Sequence, residues 1–241
     1  MRARLIRQWI GKIRMLPLHP QWLLAVSGEE RALTAGLSRL HGRVLDIGCA
    51  DRRLAKLVPA GCEYIGLDYP ETAVSMYHTR PDVFADAREL PFPKASIQGV
   101  ISKDVLEHVR GPETVLAEIG RVLEQDGTLV LWMPFIYPIH DAPYDFQRYT
   151  EHGLEEYLAA HGLRVTELLS VLTPVETASL MLCLAFADAA EQILLRRRWL
   201  LPLLPLLALF VLMANLAGKA LCWLPATRFM PAFYRLLAVR T

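Results

Sequence analysis

Short apolar runs alternate with amphipathic stretches along the middle of the chain. Helical periodicity occurs at residues 52–58, 70–78, 112–123 and 150–160. Seven runs have the length and composition of β-strands, at residues 43–47, 62–67, 83–85, 97–101, 128–133, 163–169 and 233–240. Strands that alternate with helices at this spacing form βαβ units. The pattern therefore predicts an α/β fold, with a mostly parallel seven-stranded sheet and helices on both faces.

A long apolar segment, residues 171–232, separates the last two predicted strands. Within it, Trp199–Ala217 carries no charge over 19 residues, which meets the minimum length for crossing a bilayer. Pro202 and Pro205 weaken this stretch as one straight helix. Because both ends of the segment join the same predicted sheet, the segment crosses a membrane either twice or not at all.

The charged residues in and around this segment argue against both a hairpin of two membrane spans and a single span. A hairpin of two spans needs Ala178–Leu195 as its other leg, and Asp188 and Glu191 make that leg costly in hydrocarbon. A single span would have basic residues on both flanks, against the positive-inside tendency. We therefore expect a kinked, re-entrant or interfacial helical insertion. Burial of these helices against each other or against a second subunit is the alternative.

The first residues of the chain have a basic amphipathic pattern. Their apolar positions fall on one helical stripe: Leu5, Ile6, Trp9, Ile10 and Ile13. We expect an amphipathic helix within residues 1–24 rather than a secretory signal, since no continuous apolar core is present. Such a helix either lies on an anionic membrane surface or packs on its own domain with a solvated basic face.

Composition narrows the functional classes. The 26 basic and 25 acidic side chains nearly cancel, which leaves a net charge of +1 and no field that favours nucleic acid. The cysteines lack C-x-x-C spacing, so we expect reduced thiols and no metal site. We predict a single domain with a helix within residues 1–24, a core at 40–170, an apolar insertion at 171–232 and a last strand at 233–241.

The turn after the first predicted strand has the chemistry of a cofactor site. Asp46 lies near the end of the strand, Gly48 makes the turn, and a helix is predicted to follow. This arrangement places backbone N–H groups and a helix N-terminus against a ligand. Asp68 ends the second strand about 20 residues later, where a carboxylate can accept both hydroxyls of a ribose. Asp86 follows the third strand.

Four consecutive segments carry a resemblance to a known family: VLDIGCADRRLA, EYIGLDYP, DARELPFPKASIQGVISKDVLEHV and LAEIGRVLEQDGTLVLWMPF. Together they resemble the class I S-adenosylmethionine-dependent methyltransferases, in particular the bacterial group with a VLDIGC motif. The resemblance implies a Rossmann-like fold with S-adenosylmethionine as cofactor. It also implies a set of cofactor-binding residues: Asp46 and Gly48 at the methionine end with Ala50, Asp68 and Tyr69 at the ribose, Asp86 and Ala87 at the adenine, and Lys103 and Asp104 closing the pocket.

The first motif departs from the family pattern D-x-G-x-G-x-G, because Ala50 and Arg52 replace two of its glycines. Ala50 is a mild change if its φ is negative. Arg52 must point away from the cofactor, or the chain cannot approach it closely. If Arg52 fills the pocket instead, the chain is a degenerate, non-catalytic module of this fold.

Two segments at the carboxyl ends of the fourth and fifth predicted strands can hold a methyl acceptor. The first contains Glu107 and His108, which either face the pocket mouth or cap the short turn before Pro112. The second is the long aromatic loop at residues 134–150, and a loop of this length is more often functional than merely connecting.

The loop at residues 134–150 supplies the predicted catalytic residues. His140 is the general base, because its side chain has an ordinary pKa near neutrality. Asp145 and Arg148 pair with each other or hold a polar acceptor, and Tyr149 stacks on that acceptor. In the alternative interpretation, Asp145 and Arg148 form an internal ion pair that orders the loop, and Thr150 is a helix N-cap.

The P-I-H…P-x-D-F-x-R-Y-T pattern of this loop resembles a methyltransferase subgroup associated with cell-surface glycan and lipid pathways. We therefore expect an enzyme (EC 2.1.1.-) that methylates a small-molecule, lipid-linked or glycan acceptor, peripheral or re-entrant at the cytoplasmic face of a membrane. The alternative is a non-catalytic, membrane-associated binding partner. A nucleic-acid substrate is not expected, since the chain has no N-P-P-[FY] or D-P-P-[FY] motif.

Overall fold

The computed structural model describes residues 14–241, apart from the side chains of Met76 and Tyr77. In this part of the chain the strands are β1 (Arg43–Ile47), β2 (Glu63–Asp68), β3 (Val83–Phe84), β4 (Ile97–Lys103), β5 (Leu123–Pro134), β6 (Leu163–Val171) and β7 (Phe233–Arg240). The α-helices are α1 (Trp22–Val26), α2 (Glu29–Leu37), α3 (Pro70–Thr72), α4 (Pro112–Val122), α5 (Glu151–Ala160), α6 (Pro174–Arg196) and α7 (Leu204–Ala220). Short 3-10 turns lie at Arg53–Lys56, Leu106–His108 and Arg198–Leu203, and a π turn lies at Ala73–Tyr77.

The strands form one sheet in the order β3-β2-β1-β4-β5-β7-β6. Parallel pairing joins β3 to β2, β2 to β1, β1 to β4 and β4 to β5. The last strand, β7, lies antiparallel to β5, with Thr128 opposite Val239 and Pro134 opposite Phe233. The prediction of a mostly parallel α/β sheet is confirmed. Because parallel strands end at one edge, the residues that follow β1 to β4 meet there.

Alternating strand residues place an apolar core on each face of the sheet. Leu45 and Leu129 point into the larger core, where they are buried with Ile119 of α4. Val44, the neighbour of Leu45, points into the opposite core with Leu37 of α2. Since successive strand residues face opposite sides, both faces must be covered, and helices cover both, as predicted.

The chain divides into two compact units. The sheet unit consists of Arg31–Phe135, Ile139–Leu169 and Phe233–Thr241, and the described part of the helical unit consists of residues 14–30, Ile136–Pro138 and Ser170–Ala232. The helical unit therefore contains the predicted apolar insertion. The predicted N-terminal amphipathic stripe falls on residues 1–13, outside the described residues. Residues 14–21 form turns, and α1 begins only at Trp22.

The helical unit contains two long helices, α6 and α7. Pro202 lies in the 3-10 turn between them, and Pro205 lies in the first turn of α7, where proline is tolerated. The prolines thus mark a helix boundary and do not kink a helix interior. Both helical stretches, Pro174–Arg196 and Arg198–Ala220, are long and apolar enough to cross a membrane, with mean hydropathies of 1.6 and 2.3.

A buried polar network joins these helices to the N-terminal part of the helical unit. Asn215, in the apolar run, is fully buried, and its Nδ2 donates to the carbonyl oxygens of Pro17 and His19 at 2.7 and 2.9 Å. At the start of α6, Thr173 and Glu176 form a capping box that satisfies the first amides of the helix. The network fixes which face of α7 is turned inward.

Candidate functional site

The glycine loop after β1 is fastened to the end of β2 through its backbone. The amides of Gly48 and Cys49 both donate to the carbonyl oxygen of Leu67, at 2.8 and 3.0 Å. Gly48 has a φ of +71°, and a Cβ built there would stand 2.5 Å from Cγ2 of Val105. Glycine is therefore required at this turn both for its conformation and for its lack of a side chain.

The two residues that replace glycines, Ala50 and Arg52, both lie in the left-handed region, with φ of +43° and +60°. The negative φ that would make Ala50 a mild change is therefore not adopted. The Ala50 amide donates to Asp68 Oδ2 at 2.9 Å, which holds the turn in this conformation. The guanidinium of Arg52 pairs with Asp82 at 2.7 Å and lies over the ring of Tyr64. That ion pair fixes the direction of the Arg52 side chain.

The segment after the loop differs from the prediction. A helix was expected over residues 52–58, but only the 3-10 turn Arg53–Lys56 forms there. The amides of Gly48, Cys49 and Ala50 also already donate hydrogen bonds to acceptors within the protein. The loop therefore presents neither a helix N-terminus nor a row of unused N–H groups, and phosphate recognition of the kind that these groups provide does not fit it.

Two buried carboxylates lie at this edge instead. Asp46 and Asp68, near the ends of β1 and β2, are 1% and 5% exposed. Burial raises the pKa of Asp46 to about 7, against the hydrogen bond from Tyr64 that lowers it, and the charge of Asp68 contributes to the rise. The amide of Tyr69 donates to Asp68 Oδ1 at 2.8 Å. Since the charge of Asp68 disfavours ionisation of Asp46, a cationic ligand beside the two acids is favoured.

The predicted residues after β3 and at the end of β4 occupy the same edge of the sheet. Asp86 is held by Arg88, whose Nη2 lies 2.6 Å from Oδ2, and this contact lowers the pKa of Asp86. Ala87 is buried beside it. Lys103 pairs with the neighbouring Asp104. If Asp86 contacts an adenine, its carboxylate must therefore do so while it remains paired with Arg88.

The residues at this edge fit S-adenosylmethionine, which carries a sulfonium and an α-ammonium group. Asp46 offers a buried carboxylate beside the glycine turn, which matches the ammonium. Oδ2 of Asp68 accepts the Ala50 amide and retains a second lone pair for a ribose hydroxyl. The fit rests on the charge and position of these acids, since no loop amide is needed for it.

The loop after β5 brings three of the predicted catalytic residues together. Asp145 accepts hydrogen bonds from both terminal nitrogens of Arg148, which lower its pKa to about 2. Its Oδ2 also accepts the backbone amide of His140 at 3.0 Å and lies 3.2 Å from His140 Nδ1. Asp145 and Arg148 thus form the internal ion pair that was the alternative interpretation, and this pair orients His140.

Tyr149, the fourth predicted catalytic residue, points elsewhere. Its ring stands edge-on to Tyr157 of α5, with ring centres 5.2 Å apart, and it packs against the larger core. Burial raises its pKa to about 12. The predicted stacking of Tyr149 on an acceptor stays a prediction. Thr150 is the N-cap of α5, as the alternative interpretation has it, since its Oγ1 accepts the Gly153 amide at 3.1 Å.

Glu107 and His108, on the 3-10 turn after β4, meet His140. The Glu107 side chain is fully buried, yet neither carboxylate oxygen accepts a hydrogen bond. Oε1 of Glu107 lies 3.8 Å from His108 Nε2 and 3.7 Å from His140 Nε2. The interpretation of Glu107 as a turn cap is therefore wrong, because a capping carboxylate accepts backbone amides. Spacing along the chain gave no sign that these residues meet His140.

Residues 45–131 match the family model described as a methyltransferase domain. This stretch contains the glycine loop, both buried acids and the turn that carries Glu107. Over this stretch the chain is similar to S-adenosylmethionine-dependent methyltransferases. The sequence resemblance to this family is thereby confirmed.

Two curated relatives are similar to the methyltransferase domain. A "Probable S-adenosylmethionine-dependent methyltransferase" of Mycobacterium tuberculosis (strain ATCC 25618 / H37Rv) is 35% identical over 96 residues, covering 38% of this chain and 35% of the relative. A protein of like description from Mycolicibacterium smegmatis (strain ATCC 700084 / mc(2)155) is 31% identical over 145 residues, covering 55% of this chain and 56% of the relative. The chain thus spans about a third to about half the length of the curated relatives that it matches.

The solved structures agree on the fold of the methyltransferase domain. An S-adenosylmethionine dependent methyltransferase from Mesorhizobium loti superposes with a TM-score of 0.54 at 18% identity, covering 90% of this chain and 100% of that chain. At this identity the likeness shows the fold alone, because unrelated activities share such folds.

Proposed function

We propose that this chain transfers a methyl group from S-adenosylmethionine to an acceptor held beside the loop after β5. The observation that carries the proposal is the pair of buried acids, Asp46 and Asp68, near the carboxyl ends of two adjacent parallel strands. Acids at these positions favour a cationic cofactor, and the glycine loop bonded to Asp68 holds them in place.

The proposed cofactor contacts follow from these positions. The bound cofactor supplies a methyl group on a sulfonium, which is a good leaving group, so the main task of the protein is alignment. Asp46 binds the ammonium group, Asp68 binds the ribose, and Lys103 with Asp104 closes the pocket after β4.

His140 is the proposed proton acceptor. Nδ1 of His140 lies nearer to the acceptor Asp145 Oδ2, at 3.2 Å, than to the donor Arg148 Nη2, at 3.5 Å. We therefore assign the proton of the neutral ring to Nδ1 and its lone pair to Nε2. A hydroxyl or amine acceptor would lose its proton to Nε2 as its lone pair attacks the methyl carbon. The carboxylate of Glu107, 3.7 Å from Nε2, would stabilise the proton taken up there. Arg148 holds Asp145 in the orientation that this requires.

We further propose that the helical unit rests on a membrane surface on the cytoplasmic side, where the acceptor is lipid-linked or glycan-linked. Only 17% and 11% of the two apolar helical windows are buried. Five large side chains form an exposed stripe along one face of α7: Leu206, Leu209, Phe210, Met213 and Leu216. Trp199 and Trp223, each 74% exposed, stand at the two ends of this region, and tryptophan favours the membrane–water interface. The arginines at positions 196–198 suit anionic lipid headgroups.

A second candidate function is a non-catalytic module that binds a partner through the same fold. Its motivating observation is that Ala50 and Arg52 occupy left-handed positions where the family has glycine. The first proposal is favoured because Arg52 is held by Asp82 and the acidic pair is intact.

Transfer of a labelled methyl group tests the first proposal. The purified full chain is incubated with methyl-labelled S-adenosylmethionine and either an organic-solvent extract of bacterial membranes or an aqueous extract of the same cells. We expect label in the lipid fraction, with a rate that falls by about 10²- to 10⁴-fold in His140→Gln, the range for loss of a general base. The matched control His152→Gln, at a side chain 85% exposed, keeps the wild-type rate. A protein that binds the cofactor but labels neither extract supports the non-catalytic module.

Vesicle flotation tests the membrane contact. We expect the chain to float with vesicles that contain anionic lipid. Replacing Leu209 and Met213 with Gln removes two apolar groups from the stripe and should weaken binding by about tenfold or more, given about 0.8 kcal/mol for each buried methylene. The control Val74→Gln changes a side chain that is 59% exposed in the sheet unit and should leave flotation unchanged. Equal flotation of all three proteins would exclude the stripe as the contact.

A further inference from the structure

We propose that Glu107, His108 and His140 form a binding site for one divalent transition-metal ion. Each residue offers one ligand atom, and these three atoms all lie within 4.8 Å of one another. The carboxylate Oε1 stands between the two imidazoles, 3.8 Å from His108 Nε2 and 3.7 Å from His140 Nε2. A set of two histidines and one carboxylate is a common binding site for catalytic zinc and non-haem iron.

Both imidazoles are held in the orientation that metal binding requires. Nδ1 of His108 lies 3.1 Å from the carbonyl oxygen of Tyr144. Nδ1 of His140 lies 3.2 Å from Asp145 Oδ2. Nδ1 of His140 also has Arg148 Nη2 at 3.5 Å, farther than Asp145. Because the nearest partner of each Nδ1 is an acceptor, we assign each ring its proton on Nδ1 and its lone pair on Nε2, the atom that faces Glu107. Histidines that bind metals almost always donate their second nitrogen to a carboxylate or a backbone carbonyl in this way.

Glu107 provides an independent observation that points to a ligand here. Its side chain is 0% exposed, and no hydrogen bond reaches either oxygen. A buried carboxylate without a donor at hydrogen-bond distance is costly, and the nearest ring nitrogens, Nε2 of His108 and of His140, stand 3.8 and 3.7 Å away. A cation between the three groups would satisfy the carboxylate and both lone pairs at once.

The ligand types indicate which ions fit. Imidazole nitrogens favour Zn²⁺, Fe²⁺ and Co²⁺, whereas Mg²⁺ and Ca²⁺ favour sites built from oxygen. Ligand atoms around a tetrahedral zinc ion stand about 3.3 Å apart, given metal–nitrogen distances near 2.0 Å. The cluster therefore needs only small side-chain movements to close on an ion. The side chains of His108 and His140 are 19% and 27% exposed, so a fourth position on the ion would face solvent or an acceptor.

A catalytic role for the ion rests on the proposed function, whereas its binding does not. With the ion bound, Nε2 of His140 is a ligand and no longer takes up a proton. The ion would lower the pKa of a hydroxyl acceptor so that its proton leaves to water. The oxygen lone pair then forms the new bond to the methyl carbon, and the pair of the broken carbon–sulfur bond stays on sulfur.

Metal titration of the full chain tests the site. The protein is stripped with a chelator and then titrated with Zn²⁺ by calorimetry and with Co²⁺ by visible absorption, where nitrogen and oxygen ligands give bands without intense thiolate charge transfer. We expect one ion per chain. Glu107→Gln and His140→Ala should each weaken binding by about 100-fold or more, and Asp145→Asn by about 10- to 100-fold, as for loss of an orienting partner. The control His152→Ala should bind as the wild type does.

The outcomes separate this inference from the proposed function. No saturable binding at one ion per chain, or equal binding by all variants that retain cooperative unfolding, overturns the metal site. His140→Ala keeps the test valid if Glu107→Gln does not fold, since the His140 ring lies at the surface of the cluster. Cofactor binding and methyl transfer by the stripped protein, without metal binding, would leave the proposed function standing alone. Metal binding without methyl transfer would leave the metal site standing alone.

Discussion

Replacing Gly48 with alanine tests how the glycine loop is built. A Cβ at Gly48 would stand 2.5 Å from Val105 Cγ2, so Val105 must move. The substitution should cost about 1–2 kcal/mol for the left-handed backbone, and about 1–3 kcal/mol more for the overpacking. Gly162 is a matched control, because it has the same φ of +71° and nothing within 4 Å of a built Cβ. Gly162→Ala should therefore cost only the first of these two amounts.

The free energy of unfolding of the sheet unit is measured for both variants in urea, with hydrogen exchange of the β1 and β4 amides as the probe. In a Val105→Ala background the cost of Gly48→Ala should shrink by about 1–3 kcal/mol, which is the overpacking share. Gly48→Ala should also weaken S-adenosylmethionine binding, since Val105 immediately precedes the turn at Leu106–His108. Equal losses of stability in Gly48→Ala and Gly162→Ala would refute the argument that Val105 closes this turn.

Three further perturbations test other parts of the structure. Burial raises the pKa of Asp46 to about 7, so its carboxyl is protonated below that pH and cannot pair with the cofactor ammonium. Calorimetry should therefore show that the affinity for S-adenosylmethionine falls by up to about tenfold per pH unit as the pH drops below 7, and that it is constant above pH 7. Asp46→Asn should remove this pH dependence. Arg52→Gly should change the affinity by less than about threefold, because the guanidinium lies on Asp82 and a surface ion pair contributes little; a gain of tenfold or more would mean that Arg52 obstructs the pocket. Asn215→Ala removes the Asn215 donor from the Pro17 carbonyl and leaves the His19 carbonyl with the Trp22 amide alone, so urea unfolding of the helical unit should show a loss of about 1–3 kcal/mol, and a loss under 0.5 kcal/mol would contradict this.

The strand positions could be predicted from the sequence because each strand is an apolar run bounded by turns. The sheet buries both faces, so the residues of β1 and β4 are apolar on either side and stand out from their surroundings. The insertion between β6 and β7 could also be predicted, because it is a long apolar segment that stands out from its surroundings. The predicted acids Asp46 and Asp68 also meet at one edge, since parallel strands end there.

The local conformation of the glycine loop could not be predicted in this way. Left-handed φ at Ala50 and Arg52 is unusual for residues with a Cβ. Here it follows from the hydrogen bond between the Ala50 amide and Asp68, a contact between residues far apart in the chain. The same contacts shorten the expected helix over residues 52–58 to a single 3-10 turn.

The cluster of Glu107, His108 and His140 was missed as a unit because its members come from two different loops. Metal sites are found in sequences through regular spacing on one segment, and this cluster has none. Only the fold brings the turn after β4 beside the loop after β5, where the Gln147 side chain donates to the Val109 carbonyl oxygen at 2.8 Å.

Calorimetric titration of S-adenosylmethionine into the purified full chain tests the central claim most directly. The account predicts saturable binding of one cofactor per chain. Asp68→Ala should weaken it by about 10- to 100-fold, as for loss of a charged hydrogen-bond acceptor. Asp51→Ala, in the same loop but paired with the exposed Arg53, should bind as the wild type does. Absence of binding to a protein that still unfolds cooperatively, or equal binding by Asp68→Ala, would contradict the account.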